Sequence, residues 1–237
     1  MDEVLAAVAR RGNGRAAMSD AGIGKSAILM PKQSRKHAMR LSALALTTAL
    51  LASPALATQE YILPTLFDVT GVADDDVLNI RQQPSPSSQI IGRFAPDQTG
   101  IEVVDQRNGW ALVNTAEQSG WASMRYLTYR TDVWQAGQLP AFTCAGTEPF
   151  WGLRREDGDL VLDGVDLPET SYPLQSVLGG DVFRDPSRAL LAEGLTVSIM
   201  PQQCSDGMSD RRYGLRGHII RHGAEPRLFQ GCCTIQP

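Results

Sequence analysis

From residue 66 onward, short apolar runs alternate with polar neighbours and are cut at roughly ten-residue intervals by glycine, proline or aspartate. Side chains at period two belong to half-buried strands, and strands of this length and spacing predict a small all-β barrel or sandwich. The runs at 66–72, 77–81, 90–94, 100–106, 110–114 and 120–123 are the expected strands, with Tyr126-Leu127 closing the series. Residues 82–88 carry Pro84 and Pro86, which cannot donate to a ladder, so they form an irregular loop. A second β series follows at 141–146, 150–155, 160–162, 195–200, 213–220 and 228–235. Glu156-Asp157-Gly158-Asp159 between two of these runs is a hairpin signal. One stretch predicts a short helix at 185–191, with Asp185 as its cap and Pro186 in the first position.

The amino-terminal text has a different grammar. Lys32, Arg35, Lys36 and Arg40 precede an apolar run at 41–51, which ends in Ser53-Pro54-Ala55-Leu56-Ala57. These are the three parts of a secretory signal peptide, with cleavage expected after Ala57. The run is shorter than the roughly 20 apolar residues of a membrane span, so no span is expected after cleavage. Met30 and Met39 offer more ordinary starts for such a peptide than Met1. Gly24-Lys25-Ser26 resembles the end of a phosphate-binding loop, but Ser19 stands where that motif needs its first glycine. The expected plan is therefore an extension and signal peptide at 1–57, a small barrel at 58–128, a linker or single helical turn at 129–140, and a cysteine-containing β domain at 141–237.

Composition narrows the partners. Apolar content is 43% and charged content 20%, as in a globular protein with a full core. All three lysines lie before Met39, and every basic residue after Ala57 is an arginine outnumbered by acids. An acidic, lysine-free body offers no funnel for phosphate backbones, which excludes nucleic acid as a natural partner.

Residues 58–128 resemble a bacterial SH3 domain. The resemblance is carried by Val69-Thr70-Gly71-Val72, by Leu78-Asn79-Ile80-Arg81 followed by Pro84, by Gly109-Trp110 with Val113, and by Gly120-Trp121 with Tyr126-Leu127. It implies a small barrel that serves as a binding module in the envelope, with peptidoglycan peptides as ligands of some members. Trp110, Trp121 and Tyr126 are the candidate ligand contacts, although a tryptophan on a barrel strand more often packs inward. Asp74-Asp75-Asp76 reads as a solvated turn, because no glycine-bearing calcium loop surrounds it.

The four cysteines, Cys144, Cys204, Cys232 and Cys233, all fall in the last hundred residues. In an exported chain an even count predicts disulfides, with three pairings left open. A Cys144–Cys204 bond would close about 60 residues and stabilise by about 4 kcal/mol. Adjacent Cys232 and Cys233 point to opposite faces of a strand, so each can take a different partner. His218 and His222 have one zinc spacing, but no Cys-x-x-Cys knuckle accompanies them, and neither metal nor cofactor is expected.

Phe142-x-Cys144-x-Gly146-x-Glu148-Pro149-Phe150-Trp151, with Cys204-x-Asp206-Gly207-Met208-Ser209-Asp210 and Gly231-Cys232, resembles an uncharacterised family of bacterial envelope proteins and lipoproteins. It is also similar to the META/HslJ-like β domains. These resemblances imply fold and compartment and no reaction. Residue 58 is Thr, so the lipid-acceptor cysteine of many such members is missing. Glu148, Trp151, Asp206 and Asp210 complete the candidate ligand contacts.

No catalytic set is expected. The sequence-level reading is an all-β, two-domain, monomeric and non-enzymatic envelope binder, periplasmic or secreted, with peptidoglycan or an envelope protein as partner. The alternative is a wall hydrolase, working through Cys144 with His218 or His222, or through paired carboxylates.

Overall fold

The computed structural model describes residues 61–237 except Ala136 and Pro237, and the side chain of Gln236 is also undescribed. The signal segment, its cleavage site, the alternative starts and the Gly24-Lys25-Ser26 stretch lie outside the described residues. Thr58–Pro237 form one compact unit. Among the described residues the chain is all-β apart from one 3-10 turn, and no helix is long and apolar enough to cross a membrane.

The first eight strands are β1 (Thr65–Val69), β2 (Leu78–Arg81), β3 (Ile90–Phe94), β4 (Ile101–Val103), β5 (Asp105–Arg107), β6 (Trp110–Asn114), β7 (Ser119–Ser123) and β8 (Leu127–Tyr129). They form two sheets, β4-β1-β8 and β3-β2-β7-β6-β5. Phe67, Ile80, Phe94, Val103, Val113 and Ala122 pack between them. The run expected as one strand at 100–106 breaks at Val104, which lets β4 join one sheet and β5 the other. Between β5 and β6, Asn108 (φ 49°) and Gly109 (φ 80°) make a two-residue turn in left-handed conformation. That turn sets Arg107 opposite Trp110, and its twist suits an antiparallel hairpin.

The remaining strands are β9 (Ala141–Thr147), β10 (Phe150–Glu156), β11 (Asp159–Gly164), β12 (Leu167–Tyr172), β13 (Leu174–Gly179), β14 (Arg188–Ala192), β15 (Leu195–Cys204), β16 (Tyr213–Arg221) and β17 (Arg227–Gln236). Each pairs antiparallel with the next except β12 with β13, and β17 pairs back onto β9. The sheet order begins at β12 and ends at β13, which no ladder joins and which only Pro173 separates. Together they are one long extended segment, pairing with β11 through its first half and with β14 through its second. Counted as one strand, that segment makes the sheet a nearly closed, eight-stranded up-and-down barrel with a seam at a proline, a residue unable to donate across it.

Eight strands leave an interior just wide enough for side chains. Phe142, Leu153, Leu160, Leu162, Leu190, Val197, Ile199, Leu215, Ile219 and Ile235 fill it. One transverse row shows how large and small residues are matched: Trp151 faces Gly146 on β9, and Gly217 on β16 faces Gly231 on β17. The indole occupies the space that side chains at Gly146 and Gly231 would need. It meets the Phe229 ring at 5.8 Å between centroids.

Cys144 and Cys233 lie directly opposite each other on β9 and β17 and are bonded within the core, while Cys204 is bonded to Cys232. The adjacent cysteines thus take different partners, and Cys144 and Cys204 are not joined to each other.

Two expectations are corrected, and the connection after β8 gains a packing role. Residues 185–191 do not form a helix. The Asp185 carboxylate accepts the Ser187 amide and hydroxyl in a local turn, and 188–192 enter the barrel as β14, where Arg188, Leu190 and Ala192 are buried in strand alternation. Residues 167–179, where the sequence pattern predicts no strand, form β12 and β13. The segment after β8 is a plug as well as a connection: Val133 and Trp134 join the core of the large barrel. Trp134 donates its indole N–H to the Pro64 carbonyl at 2.7 Å, and the Arg188 guanidinium stacks 5.0 Å above its ring. Arg188 donates to the carbonyls of Gln135, Gln138, Asp185 and Ser187, so this almost fully buried cation is satisfied by backbone.

Candidate functional site

The outer face of the five-stranded sheet carries Trp110, Trp121, Arg81 and Arg107. Trp110 on β6 and Tyr126 on the 3-10 turn after β7 line a cleft of about 580 Å³. Its other walls include Gly71, Val72, Asp76, Asn79, Arg81, Pro86 and Arg125. Alternation explains the arrangement. Ala111 and Val113 are fully buried on the inner side of β6, which turns Trp110 outward and leaves it half-buried.

Two arginines and one acid give the cleft its chemistry. Arg81 donates to the Ser88 carbonyl at 2.7 Å, a bond that fixes its guanidinium beside the 82–88 loop. Arg125 stacks over Tyr126 at 5.7 Å. Asp76 accepts the Val77 amide at 2.8 Å, so the triple-aspartate turn is organised by its own backbone. A half-exposed indole and phenol beside two guanidinium groups suit a flexible polar chain with apolar stems and a carboxylate or carbonyl-rich backbone. Trp121 lies on the same sheet face, opposite Arg81 and Leu112, and carries the Arg107 guanidinium 5.7 Å above its ring. It does not line the cleft. Sequence reasoning alone misses Arg81, Arg125, Asp76 and Pro86 as cleft residues. Arg81 stands in the chain only as part of a family motif, and nothing in linear spacing marks Arg125 as its companion.

The acid-bearing motifs of the large barrel serve other ends. The two loops do meet: the Thr147 hydroxyl donates to the Asp206 carbonyl at 3.0 Å, beside the Cys204–Cys232 bond. The Asp206 carboxylate, however, is turned into its own loop. It accepts the Met208 and Ser209 amides, the Ser209 hydroxyl and the Tyr213 hydroxyl. Partial burial pushes this acid up, but those hydrogen bonds outweigh it and hold the group down at about 2. Asp210 works through its backbone, bridging Gln118 and exchanging amide–carbonyl bonds with Glu117 and Ser119. Beside it, the Arg212 amide is held by Asn114 and Ser119, and Asn114 donates to the Arg212 carbonyl at 2.8 Å. The Cys204–Asp210 motif is thus a clamp onto the hairpin of β6 and β7.

Glu148 lines a separate hollow of about 520 Å³ with Arg227, Leu228 and Gln230. Trp151 borders the same hollow, yet it is buried in the barrel core. All four cysteines are in disulfides. The His222 ring is hydrogen-bonded to Thr196, and His218 stands opposite Ser198 and Gln230 on the strand ladder. Among the described residues no three metal-ligating side chains converge.

With this geometry in place, comparison with known proteins adds one match. Residues 76–128, which contain most of the cleft lining, match the family described as bacterial SH3 domain. The match leaves the cysteine-bearing barrel unassigned. No curated protein and no solved structure matches the chain.

Proposed function

We infer that this chain is an exported, non-enzymatic binding protein of the bacterial cell envelope, and that the cleft of Trp110, Tyr126, Arg81 and Arg125 is its ligand site. The observation that carries this reading is the coincidence of an open aromatic–cationic cleft with the stretch matching bacterial SH3 domains. Domains of that kind are typically wall-binding modules, and peptidoglycan stem peptides supply both carboxylates and a carbonyl-rich backbone. The two disulfides support an oxidising compartment, in keeping with the signal-like segment ending at Ala57. Pairing of every cysteine leaves none as a thiolate nucleophile, and Asp206 spends its carboxylate on its own loop. Both facts support binding over hydrolysis. The partner is peptidoglycan or an envelope protein, bound by a monomer.

The test is retention on purified sacculi. Wild-type protein is expected to co-sediment, and the double variant Trp110→Ala, Arg125→Ala to fall to the level of an unrelated acidic protein. Equal retention of the two removes the cleft from the reading. Release of soluble muropeptides by the wild type would restore the hydrolase.

A further inference from the structure

The two barrels meet along a face that one carboxylate bridges. Glu102 sits in the middle of β4, directly opposite Leu66 on β1. The residue is half-buried, and its carboxylate bridges from the small barrel to β17. There it accepts the Thr234 hydroxyl on one oxygen and the Ile235 amide on the other, the latter at 3.2 Å. Pro64 lies on Gly214 beside this point, where any added side chain would strike the proline ring.

We propose that Glu102 is a proton-operated latch in this seam. Protonated, it holds β4 of the small barrel on β17; ionised, it loosens that edge of the contact.

The surroundings make the case. From β1 the neighbour is Leu66, and from β17 come the neutral Thr234 hydroxyl and the Ile235 amide. Among the described residues, the one charged group that bears on it is Arg211, from the β15–β16 loop. The Arg211 guanidinium is stacked on Tyr213 at 5.2 Å, its Nε is buried without a partner, and among the described residues it forms no ion pair with Glu102. An ionised Glu102 would therefore be a charge partly withdrawn from water with two hydrogen bonds and no paired counter-ion, which is costly. Burial is the largest influence and pushes the acid up to about 7, against smaller downward pulls from Thr234, Ile235 and Arg211. The folded value exceeds the ordinary 4.5, so the folded seam holds a proton that the open state releases. Stability from this group is thus full below pH 4.5, declines as pH rises towards 7, and stays low above it.

The other seam contacts do not share this titration. Asn114 and Ser119 grip the Arg212 backbone, and Trp134 bonds the Pro64 carbonyl, through groups that keep their charge near neutrality. Loosening is consequently local to β4 and β17. The cleft lining includes none of the seam residues Glu102, Thr234, Ile235 and Arg212, so the latch alters how the small barrel is carried and leaves its ligand site intact.

The test is amide exchange in the whole folded protein at pH 5, 6.5 and 8, comparing wild type with Glu102→Gln, which keeps an acceptor but cannot ionise. Taking the wild-type to variant ratio at each pH cancels the intrinsic pH dependence of exchange. At Ile235 the ratio is expected near one at pH 5 and at least about tenfold at pH 8, since a carboxyl pKa raised by about one already changes the opening equilibrium tenfold. At Val113, inside the small barrel, it is expected to stay near one. A flat ratio at Ile235, or a parallel rise at Val113, overturns the latch. Should Glu102→Gln fail to fold, carboxyl titration by NMR in the wild type decides: a Glu102 midpoint near 7 supports the proposal, and one near 4.5 ends it.

Discussion

The two barrels place their distinctive residues differently. The large barrel turns its distinctive residues inward: Trp151 fills the room left by Gly146 and Gly231, and Cys144 and Cys233 are bonded inside the core. The small barrel holds no cysteine, packs a modest apolar core, and spends Trp110, Tyr126, Arg81 and Arg125 on an outer face. Side chains that seal a core cannot also meet a ligand, whereas the outer side of a two-sheet barrel is free to. What the small barrel lacks in covalent support it recovers by docking, through the Asp206–Arg212 loop, Glu102 and the Trp134 plug. The contrast teaches that the motif with the most conspicuous sequence here is built into the scaffold, while the plainer domain presents the open cleft.

Reduction is the harshest way to break this comparison. The Cys144–Cys233 bond spans 89 residues, and loop-closure entropy puts such a cross-link at about 4.6 kcal/mol. Thiol-reduced protein is expected to lose that much or more in urea unfolding, with exchange protection collapsing in β9–β17 before it does at Val113. Simultaneous collapse would show that the small barrel has no stability of its own. Next comes Trp151→Ala, expected to cost about 3–5 kcal/mol because Gly146 and Gly231 have no side chains to fill the void. An equilibrium denaturation midpoint checks it, and a cost below about 1 kcal/mol would place the indole outside the core.

Asp206→Asn tests the clamp more gently. Its folded value of about 2 lies below the ordinary 3.8, so it adds stability above pH 3.8 that is lost as pH falls through 2. The variant is expected to unfold more easily at neutral pH, by about 1–3 kcal/mol, and to lose part of the wild type's acid-side decline. An unchanged acid limb would assign that decline to other carboxylates. Trp110→Ala should have the smallest effect on unfolding, under about 1 kcal/mol, because the ring is half-exposed. A larger loss would move it from cleft to core and blur the division drawn here.

Much of this division is open to reading along the chain, though unevenly. Period-two alternation locates most strands, and Asp157-Gly158 names its hairpin because both residues take positive φ, 50° and 95°. The helix expected at 185–191 fails because a capping aspartate and an early proline also suit a turn leading into a strand. β12 and β13 escape the pattern because their exposed polar residues, such as Glu169 and Gln175, dilute the alternation. At the site, Trp110 and Tyr126 are legible as surface aromatics of a binding module, and both line the cleft. Asp206 suits either a turn or a ligand contact by its residue type, and its hydrogen bonds are those of a turn.

The amino-acid sequence by itself determined the all-β class, the small barrel's family likeness and the fact that Cys232 and Cys233 face opposite ways. Each follows from local spacing, which survives without knowledge of what lies across the fold. Only the tertiary structure decided which sulfurs join, how the ends of the nine-stranded sheet come to meet at Pro173, and that Glu102 ends up between two barrels. Those outcomes depend on partners 89 or 132 positions away, and pairing over such separations is set by packing and not by any neighbour in the chain.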